Sequence, residues 1–164
     1  MKVRIATIDD AARIAVIYNE GIADRTATFE TRARTAEDVR SWFDGTHPIV
    51  VVEHDGALSA FASTSAYRNR ECYAGIAETS VYVAKAWRGR GAGRMALTAL
   101  IGRAEQAGYW KLVSRIFPEN LPSRRLIASL GFREVGTYEK HGKLDGVWRD
   151  VIIVERLLPA NLKP

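Results

Sequence analysis

Hydrophobic and polar residues alternate along several short stretches of the chain, a pattern with period two that predicts β-strands. Six stretches alternate in this way or are continuously apolar: KVRIA, PIVVVEH, ALSAFASTSAY, AETSVYVA, KLVSRIF and WRDVIIVERLL. The dipeptide Asp55-Gly56 separates the second stretch from the third and is typical of a tight type I′ hairpin turn. The pattern therefore predicts a sheet that contains at least one hairpin.

Between these stretches, apolar residues recur three and four positions apart, the spacing that places them on one face of a helix. A Thr followed three residues later by Asp, the pattern of a capping box, precedes the first two predicted helices at Thr7 and Thr35. Gly108 and Gly131 are positioned to end the last two helices. The expected apolar faces are Ile14, Ile17, Tyr18 and Ile22 in the first helix, Val39, Trp42 and Phe43 in the second, and Leu97, Leu100, Ile101 and Ala104 in the third. Together, the predicted strands and helices indicate a single mixed α/β domain over residues 1–164, with hairpins instead of a regular βαβ repeat.

The composition narrows the class of protein further. Hydrophobic residues make up 47% and charged residues 26% of the 164 residues, as is typical of a globular domain. The net charge of +5 suits a phosphate-bearing ligand, but no block of Lys and Arg indicates a nucleic-acid partner. No apolar run reaches the roughly 18 residues of a transmembrane helix and no signal peptide is evident, so we expect a cytoplasmic protein without a membrane partner. Cys72 is the only cysteine and the three histidines are scattered, which argues against a metal site.

The segment from Arg88 to Arg94, RGRGAGR, joins a predicted strand to a predicted helix and is rich in glycine and arginine. The first turn of a helix has free amides and the positive end of the helix dipole, so such a turn can bind a phosphate group. A Walker A loop fits badly because Arg94-Met95 follows the last glycine, and a Rossmann loop because Ala96 stands where its third glycine would be. The alternative is a solvated loop whose arginines face water.

Two motifs in this order resemble the acetyl-CoA-binding signature of the GNAT superfamily of N-acetyltransferases. The first is Arg88-x-x-Gly91-x-Gly93, and the second, further along the chain, is ENLPSRRLIASLGF. The stretches IYNEGI, TATFET, AETSVYV and KHG with the later WRD are similar to the phosphinothricin acetyltransferase branch of that superfamily. The resemblance covers nearly the whole chain. It implies the GNAT fold, a mixed and mostly antiparallel sheet with helices on both faces, and acetyl-CoA as the co-substrate.

The resemblance also implies which residues contact acetyl-CoA. The strand before the glycine turn would offer backbone amides to the pantetheine arm and the acetyl oxygen, and the turn itself would hold the pyrophosphate. The asparagine that starts the next helix would contact the pantetheine or order that helix, with a plain helix cap as the alternative. The residues so implied are Val81, Tyr82, Val83, Arg88, Gly89, Arg90, Gly91, Ala92, Gly93, Arg94, Asn120 and Ser123.

Acetyl transfer to an amine requires a neutral nitrogen, so we expect a carboxylate that accepts the ammonium proton near the acceptor. Glu78 matches the Glu that the phosphinothricin branch carries at this position, with an exposed strand residue or half of a salt bridge as the alternative. Many members of the superfamily carry a Tyr that protonates the leaving thiolate, but Ile127 stands at that position. Tyr138 or His141 could serve instead, or the thiolate could leave unassisted.

The resemblance further implies that the acceptor is a small, anionic amino-acid analogue of the phosphinothricin, methionine sulfoximine or arsinothricin type, acetylated on its α-amino group. Arg70 and Tyr73 are expected to bind it, since a guanidinium suits an anionic group. Phe29 and Glu30 lie in a loop that lines the acceptor site in this superfamily. Members of this branch are commonly homodimers. A protein N-terminus or a polyamine as acceptor, and a non-catalytic acyl-CoA-binding module, remain the alternatives.

Overall fold

The computed structural model describes residues 1–164 as one seven-stranded sheet flanked by α-helices. The strands are β1 (Lys2–Ile5), β2 (Ile49–His54), β3 (Ala57–Ala66), β4 (Ile76–Val83), β5 (Lys111–Ile116), β6 (Arg133–Leu144) and β7 (Val147–Leu157). The helices are α1 (Ala11–Asp24), α2 (Ala36–Arg40), α3 (Ala92–Gln106) and α4 (Leu121–Ser129). None of these helices combines the length and the apolar composition needed to cross a membrane.

The strands are arranged in the order β1-β2-β3-β4-β5-β7-β6. Every neighbouring pair is antiparallel except β4 and β5, which run parallel. Parallel neighbours need a crossover connection, and α3 provides it between these two strands. The predicted mixed and mostly antiparallel sheet is confirmed, and its single parallel pair lies near the centre.

Helices cover both faces of the sheet, as predicted. Val50 and Val52 of β2 pack in one core with Leu100 of α3. Val51, which lies between them in sequence, packs in a second core with Ile14 of α1. Because successive strand residues point to opposite faces, a continuously apolar strand such as β2 contributes to both cores.

The turn and capping signals of the sequence produce the expected local structures. Asp55 and Gly56 both have positive φ, +48° and +78°, and join β2 to β3 in a two-residue turn. The amide of Thr35 donates to Asp38 Oδ2 at 2.8 Å, and Thr35 Oγ1 accepts from the amide of Asp38 at 3.1 Å, which starts α2. Gly108, just after α3, has a φ of +93°, the left-handed conformation that ends a helix.

The predicted capping pair of Thr7 and Asp10 is also present and lies before α1. The Asp10 side chain is 1% exposed, and its Oδ2 accepts a hydrogen bond from the amide of Thr7 at 2.8 Å. Arg4 and Arg13 contact its two oxygens at 2.8 and 2.7 Å. These contacts, with Arg4 as the main cause, lower the pKa of Asp10 to about 2. The carboxylate is therefore charged at neutral pH and ties β1 to the start of α1.

Two elements differ from the sequence-based expectation. The predicted extent of α2 is wrong: the helix ends at Arg40, so Trp42 and Phe43 lie beyond it, although both still pack against the core around α1. The pattern also does not predict β6, whose residues 133–141 are all exposed and so carry no alternation of apolar and polar positions. This strand exists because its backbone pairs with β7.

Candidate active site

The parallel strands β4 and β5 are paired at their start and separate toward their carboxyl ends. Residues 76–78 lie opposite residues 111–113, and no further pairing follows. One side-chain hydrogen bond, from Ser114 Oγ to the carbonyl oxygen of Thr79 at 2.9 Å, joins the strands just beyond this point. We call this divergence, beyond Glu78 and Val113, the fork. A sheet that opens in this way leaves backbone polar groups without strand partners in the gap.

The backbone of β4 beyond the fork directs amides into the gap. The amide of Ala84 donates to the carbonyl oxygen of Ser59 on β3 at 2.9 Å. Because the direction of hydrogen bonding alternates along an antiparallel ladder, the amide of Tyr82 also bonds to β3, whereas those of Val81 and Val83 point away from it. Of these three predicted acetyl-CoA residues, Val81 and Val83 therefore have amides free for a ligand.

The glycine turn between β4 and α3 presents further free amides. Gly89 and Gly91 have φ values of +72° and +86°, which glycine adopts at little cost. Helix α3 begins at Ala92, and the amide of Met95 donates to the carbonyl oxygen of Gly91 at 3.1 Å. The three amides before Met95 thus have no helical acceptor, and the first turn contains no acidic residue. The turn is chemically suited to hold a phosphate group.

The first turn of α3 lies directly against β4. A Cβ atom on Gly93 would stand 3.0 Å from Cγ2 of Val83 and 3.5 Å from Cδ2 of Leu126. This glycine therefore allows the helix start to approach the strand whose amides face the gap. The glycine turn and the fork consequently border one continuous space.

Arg88 links the glycine turn to α1 and to the end of β4. Its Nη1 contacts Asp24 Oδ2 at 2.6 Å, and its Nε donates to the carbonyl oxygen of Val83 at 3.3 Å. The hydrogen bond from Arg88 lowers the pKa of Asp24. The guanidinium is thus held at the wall of the site, next to the helix start.

A cavity of about 580 Å³, which we call the glycine-loop cavity, extends from the fork to the glycine turn. Its size lies within the range of roughly 300–1,000 Å³ of small-molecule sites. The predicted acetyl-CoA residues that line it are Val81, Tyr82, Val83, Arg88, Gly89, Gly91, Gly93, Arg94, Asn120 and Ser123. Arg90 and Ala92 do not line it, because the Arg90 guanidinium lies 5.2 Å from the centre of the Trp87 ring and Ala92 is buried in the core.

The start of α4 forms the opposite wall of this cavity. Oδ1 of Asn120 accepts a hydrogen bond from the amide of Ser123 at 3.3 Å, so Asn120 caps the helix. Its Nδ2 donates to the carbonyl oxygen of Thr26 at 3.4 Å. The helix-cap alternative is therefore realised, and the same residue joins α4 to the loop after α1 at the edge of the cavity.

A second cavity, of about 480 Å³, adjoins the first at the fork, and we call it the Glu78 cavity. The Glu78 side chain is 31% exposed, and its Oε1 lies 3.3 Å from Nη2 of Arg115. Thr79, Ser114 and Arg115 line both cavities, so the two spaces meet there. No three His, Cys, Asp or Glu side chains converge in this structure to hold a metal ion.

The loop after α1 and strand β6 form the outer wall of the Glu78 cavity. Phe29 packs edge-on against Phe117 with ring centres 4.9 Å apart, and a Cβ atom on Gly142 would stand 2.9 Å from Cε1 of Phe29. Glu30 pairs with Arg34 at 2.6 Å. The predicted acceptor-binding residues Phe29 and Glu30 therefore both line this cavity.

Arg70 and Tyr73, the other predicted acceptor-binding residues, line neither cavity. They belong to the connection between β3 and β4, where the Arg70 guanidinium lies 5.6 Å from the centre of the Tyr73 ring. The arginine that reaches the Glu78 cavity is Arg115 of β5, which the sequence analysis missed. Its position near the carboxyl end of a strand was the available signal, since ligands bind at such ends in parallel sheets.

Two tyrosines in the wall of the Glu78 cavity stay neutral. The rings of Tyr18 and Tyr82 meet edge to face with centres 4.9 Å apart. Burial raises the pKa of both phenols. Neither phenol is a proton acceptor at neutral pH, and the carboxylates that line this cavity are those of Glu78 and Glu30.

His141 reaches the rim of the Glu78 cavity through an irregularity in β6. The register with β7 shifts between Tyr138 and Gly142, and Lys140 has a φ of +47°. The amide of Lys140 donates to Asp150 Oδ1 at 2.8 Å, which supports this conformation. The His141 ring stacks on Tyr138 with centres 4.6 Å apart. The two side chains considered as proton donors for the leaving thiolate thus lie together, and His141 is the one that lines the Glu78 cavity.

Comparison with known proteins assigns the chain to a family. The sequence profile of the Acetyltransferase (GNAT) family matches residues 15–132. The phosphinothricin N-acetyltransferase of Alcaligenes faecalis is 34% identical over 97% of this chain and 83% of its own length. The L-methionine sulfoximine/L-methionine sulfone acetyltransferase of Salmonella typhimurium is 30% identical over 100% of this chain and 98% of its own length.

A solved structure agrees with these relationships. The crystal structure of a GNAT superfamily phosphinothricin acetyltransferase from Sinorhizobium meliloti in complex with AcCoA superposes with a TM-score of 0.88 at 30% identity, covering 96% of this chain and 88% of its own. The family profile spans both motifs that border the glycine-loop cavity. The chain therefore belongs to the GNAT acetyltransferase family and is an acetyl-CoA-dependent N-acetyltransferase.

Proposed function

We propose that this N-acetyltransferase acts on the α-amino group of a small anionic amino-acid analogue of the phosphinothricin, methionine sulfoximine or arsinothricin type, and so detoxifies it. The observation that carries the proposal is the 3.3 Å contact of Glu78 with Arg115 in a cavity that meets the glycine-loop cavity at the fork. One cavity wall thus offers a proton acceptor for an amine and a cation for an anionic group. The names of two relatives support the same acceptor class.

Acetyl-CoA would lie in the glycine-loop cavity. Its pyrophosphate would bind the free amides at the start of α3, with Arg88 and Arg94 adding charge-assisted hydrogen bonds. The amides of Val81 and Val83 would bind the pantetheine arm and the oxygen of the acetyl group. Such amides stabilise the oxyanion that forms when the amine attacks, and removing one donor of this kind costs about 10²–10³ in rate.

Glu78 is the general base in this proposal. An ammonium group has no lone pair, so the α-amino group must lose a proton before it attacks the thioester. Glu78 belongs to the last paired rung of β4, one residue before the fork. From there its carboxylate can take the proton directly or through one water molecule, while the following residues of the same strand bind the acetyl group.

Arg115 provides the positive charge for the anionic end of the acceptor. A guanidinium binds a carboxylate or a phosphinate through two parallel hydrogen bonds. The Arg115 side chain is 51% exposed and contacts Glu78 through one nitrogen, so other donors are free for the acceptor. In this proposal Arg115 takes the role that the sequence resemblance implied for Arg70, and Phe29 forms the apolar wall of the acceptor site.

An acceptor screen with acetyl-CoA and detection of the free thiol tests the substrate class. We expect turnover with phosphinothricin or methionine sulfoximine, and much weaker turnover with polyamines and N-terminal peptides. Preferred turnover of a peptide or a polyamine would reassign the acceptor. Acetyl-CoA binding without turnover of any amine would instead indicate a non-catalytic acyl-CoA-binding module.

The substitution Glu78→Gln tests the base and keeps the size of the side chain. We expect kcat at pH 7 to fall by about 10²–10⁴-fold with acetyl-CoA binding unchanged. The gap to wild type should narrow at alkaline pH, because the free amine then loses its proton to solvent. Glu105→Gln on α3 outside both cavities is the matched control. Near-normal turnover of Glu78→Gln at pH 7 would place the base elsewhere, and joint loss of acetyl-CoA binding would make Glu78 a structural residue.

We further propose that the enzyme is a cytoplasmic homodimer without nucleic-acid or membrane partners. Apolar side chains on the β6–β7 hairpin are 47% to 61% exposed, namely those of Val135, Tyr138, Val147 and Trp148. Because β6 is an edge strand, such a surface favours contact with a second copy. Sedimentation should show a dimer for wild type and a shift to monomer for Trp148→Glu. A wild-type mass of 18.2 kDa at micromolar concentration would reject the dimer.

A further inference from the structure

Thr79 is a buried residue whose hydroxyl group has no hydrogen-bond partner in the protein. The residue is 4% exposed, and Oγ1 is buried and unpaired. Leaving a buried hydroxyl unpaired costs about 1–3 kcal/mol, and folded proteins satisfy nearly all such groups. Thr79 lines both cavities, so a ligand bound there is a candidate partner for this hydroxyl.

Thr79 is the first residue of β4 beyond the paired part of the fork. It follows the rung formed by Glu78 and Val113, and it lines both cavities. Side chains alternate between the two faces of a sheet along a strand. Thr79 therefore lies on the same face as Val81, toward α3, and Glu78 lies on the opposite face. The hydroxyl thus belongs to the acetyl-CoA side of the fork, one residue from the proposed base.

Two polar side chains that line the glycine-loop cavity together with Thr79 already have partners. Ser114 Oγ donates to the Thr79 carbonyl oxygen at 2.9 Å, and Oδ1 of Asn120 accepts from a helix amide. Ile127 and Leu126, which line the same cavity, have no hydrogen-bonding side chain. The Thr79 hydroxyl is therefore an unpaired donor on a residue that lines the glycine-loop cavity.

We propose that the Thr79 hydroxyl donates a hydrogen bond to the sulfur of the acetyl thioester as its carbon–sulfur bond breaks. During transfer the nitrogen–carbon bond forms, the carbon–sulfur bond breaks, and the electron pair of that bond passes to sulfur. Of the two protons that the ammonium loses, one goes to Glu78 and then to solvent, and the other ends on sulfur to give the free thiol. Thr79 keeps its own proton and stabilises the negative sulfur. The assignment concerns the thioester and does not depend on which amine accepts the acetyl group.

The substitution Thr79→Val removes the hydroxyl at nearly constant shape, and the chain offers a matched control. Thr64 lies directly opposite Thr79 on β3 and is 3% exposed. Its hydroxyl, however, donates to the carbonyl oxygen of Pro48 at 2.8 Å. The two threonines are therefore similarly buried and face each other across the strand pair. The Thr64 hydroxyl has a hydrogen-bond partner in the protein, and the Thr79 hydroxyl has none.

Thr79→Val and Thr64→Val should differ in unfolding temperature, in kcat and in the pKa of bound CoA. Without ligand, Thr79→Val should unfold at the same or a higher temperature than wild type, whereas Thr64→Val should unfold at a lower one. Thr79→Val should lower kcat by about 10–100-fold, the contribution of one hydrogen bond to a charged group. In the complex with free CoA, the pKa of the thiol, followed by the ultraviolet absorbance of the thiolate, should be higher by about one to two pH units than in wild type. Thr79→Ser should restore both values, and Thr64→Val should leave both unchanged.

A Thr79→Val enzyme with wild-type kcat and a wild-type thiol pKa would overturn the proposal. A loss of stability as large as that of Thr64→Val would also overturn it, because the hydroxyl would then have a partner within the protein. These failures are distinct from failure of the proposed function. If Glu78→Gln is inactive while Thr79→Val is normal, the proposed base stands and only the role of Thr79 is rejected.

Discussion

Replacement of Gly91 by valine is expected to weaken acetyl-CoA binding while leaving the fold intact. Gly91 precedes α3 with a φ of +86°, and a Cβ atom there would meet no other atom within 4 Å. The new Cβ atom therefore has open space around it. Because Gly91 lines the glycine-loop cavity, a branched side chain obstructs the approach of a phosphate to the amides at the helix start.

The two effects of this substitution differ in size. Holding a residue other than glycine in the left-handed conformation costs about 1–2 kcal/mol, a minor part of the 5–15 kcal/mol that stabilises a typical domain. A hydrogen bond to a charged phosphate contributes about 1.5–3 kcal/mol. Since about 1.4 kcal/mol corresponds to a factor of ten, loss of one such bond should weaken acetyl-CoA binding about 10–100-fold.

Gly45→Val is the matched control for this prediction. Gly45 has a φ of +80°, a Cβ atom there would also meet nothing within 4 Å, and the residue lines neither cavity. Thermal unfolding should show similar losses of stability for both variants, and calorimetry should show weakened acetyl-CoA binding for Gly91→Val alone. Equal acetyl-CoA affinities in the two folded variants would refute the assignment of the glycine turn to the pyrophosphate.

Two further predictions concern stability. The pKa of Asp10 lies at about 2 in place of 3.8, so its carboxylate stabilises the fold above about pH 4, and this contribution disappears as the pH falls toward 2. Asp10→Asn should therefore cost about 2 kcal/mol in urea unfolding at pH 7 and almost nothing near pH 2, and equal losses at both pH values would contradict this. On α3, Gly102→Ala meets open space and should stabilise the protein by about 0.5–1 kcal/mol. Gly93→Ala should not stabilise the protein, because its methyl group would stand 3.0 Å from Val83. An equal gain in melting temperature for Gly93→Ala and Gly102→Ala would contradict this prediction.

The sequence by itself determined those features that depend on neighbours along the chain. Thr35 and Asp38 start a helix through their own hydrogen bonds, and Asp55-Gly56 forms a hairpin turn through its own dihedral angles. The glycine turn and the start of α4 are likewise local, because a helix terminus needs only its cap and its free amides to attract an anion. For this reason most of the residues that the sequence proposes for acetyl-CoA line one cavity, the glycine-loop cavity.

The proposed acceptor side of the site was decided by tertiary structure. Arg115 approaches Glu78, and Thr79 is left with an unpaired hydroxyl, only because β4 and β5 pair for a few residues and then diverge. Arg70 was expected in this site and lies outside both cavities, because the β3–β4 connection packs its guanidinium over Tyr73. The alternation within a strand shows which residues share a face, but it does not show which strand pairs with it or where that pairing ends. The residues that meet across such a fork therefore become neighbours only when the whole sheet has formed.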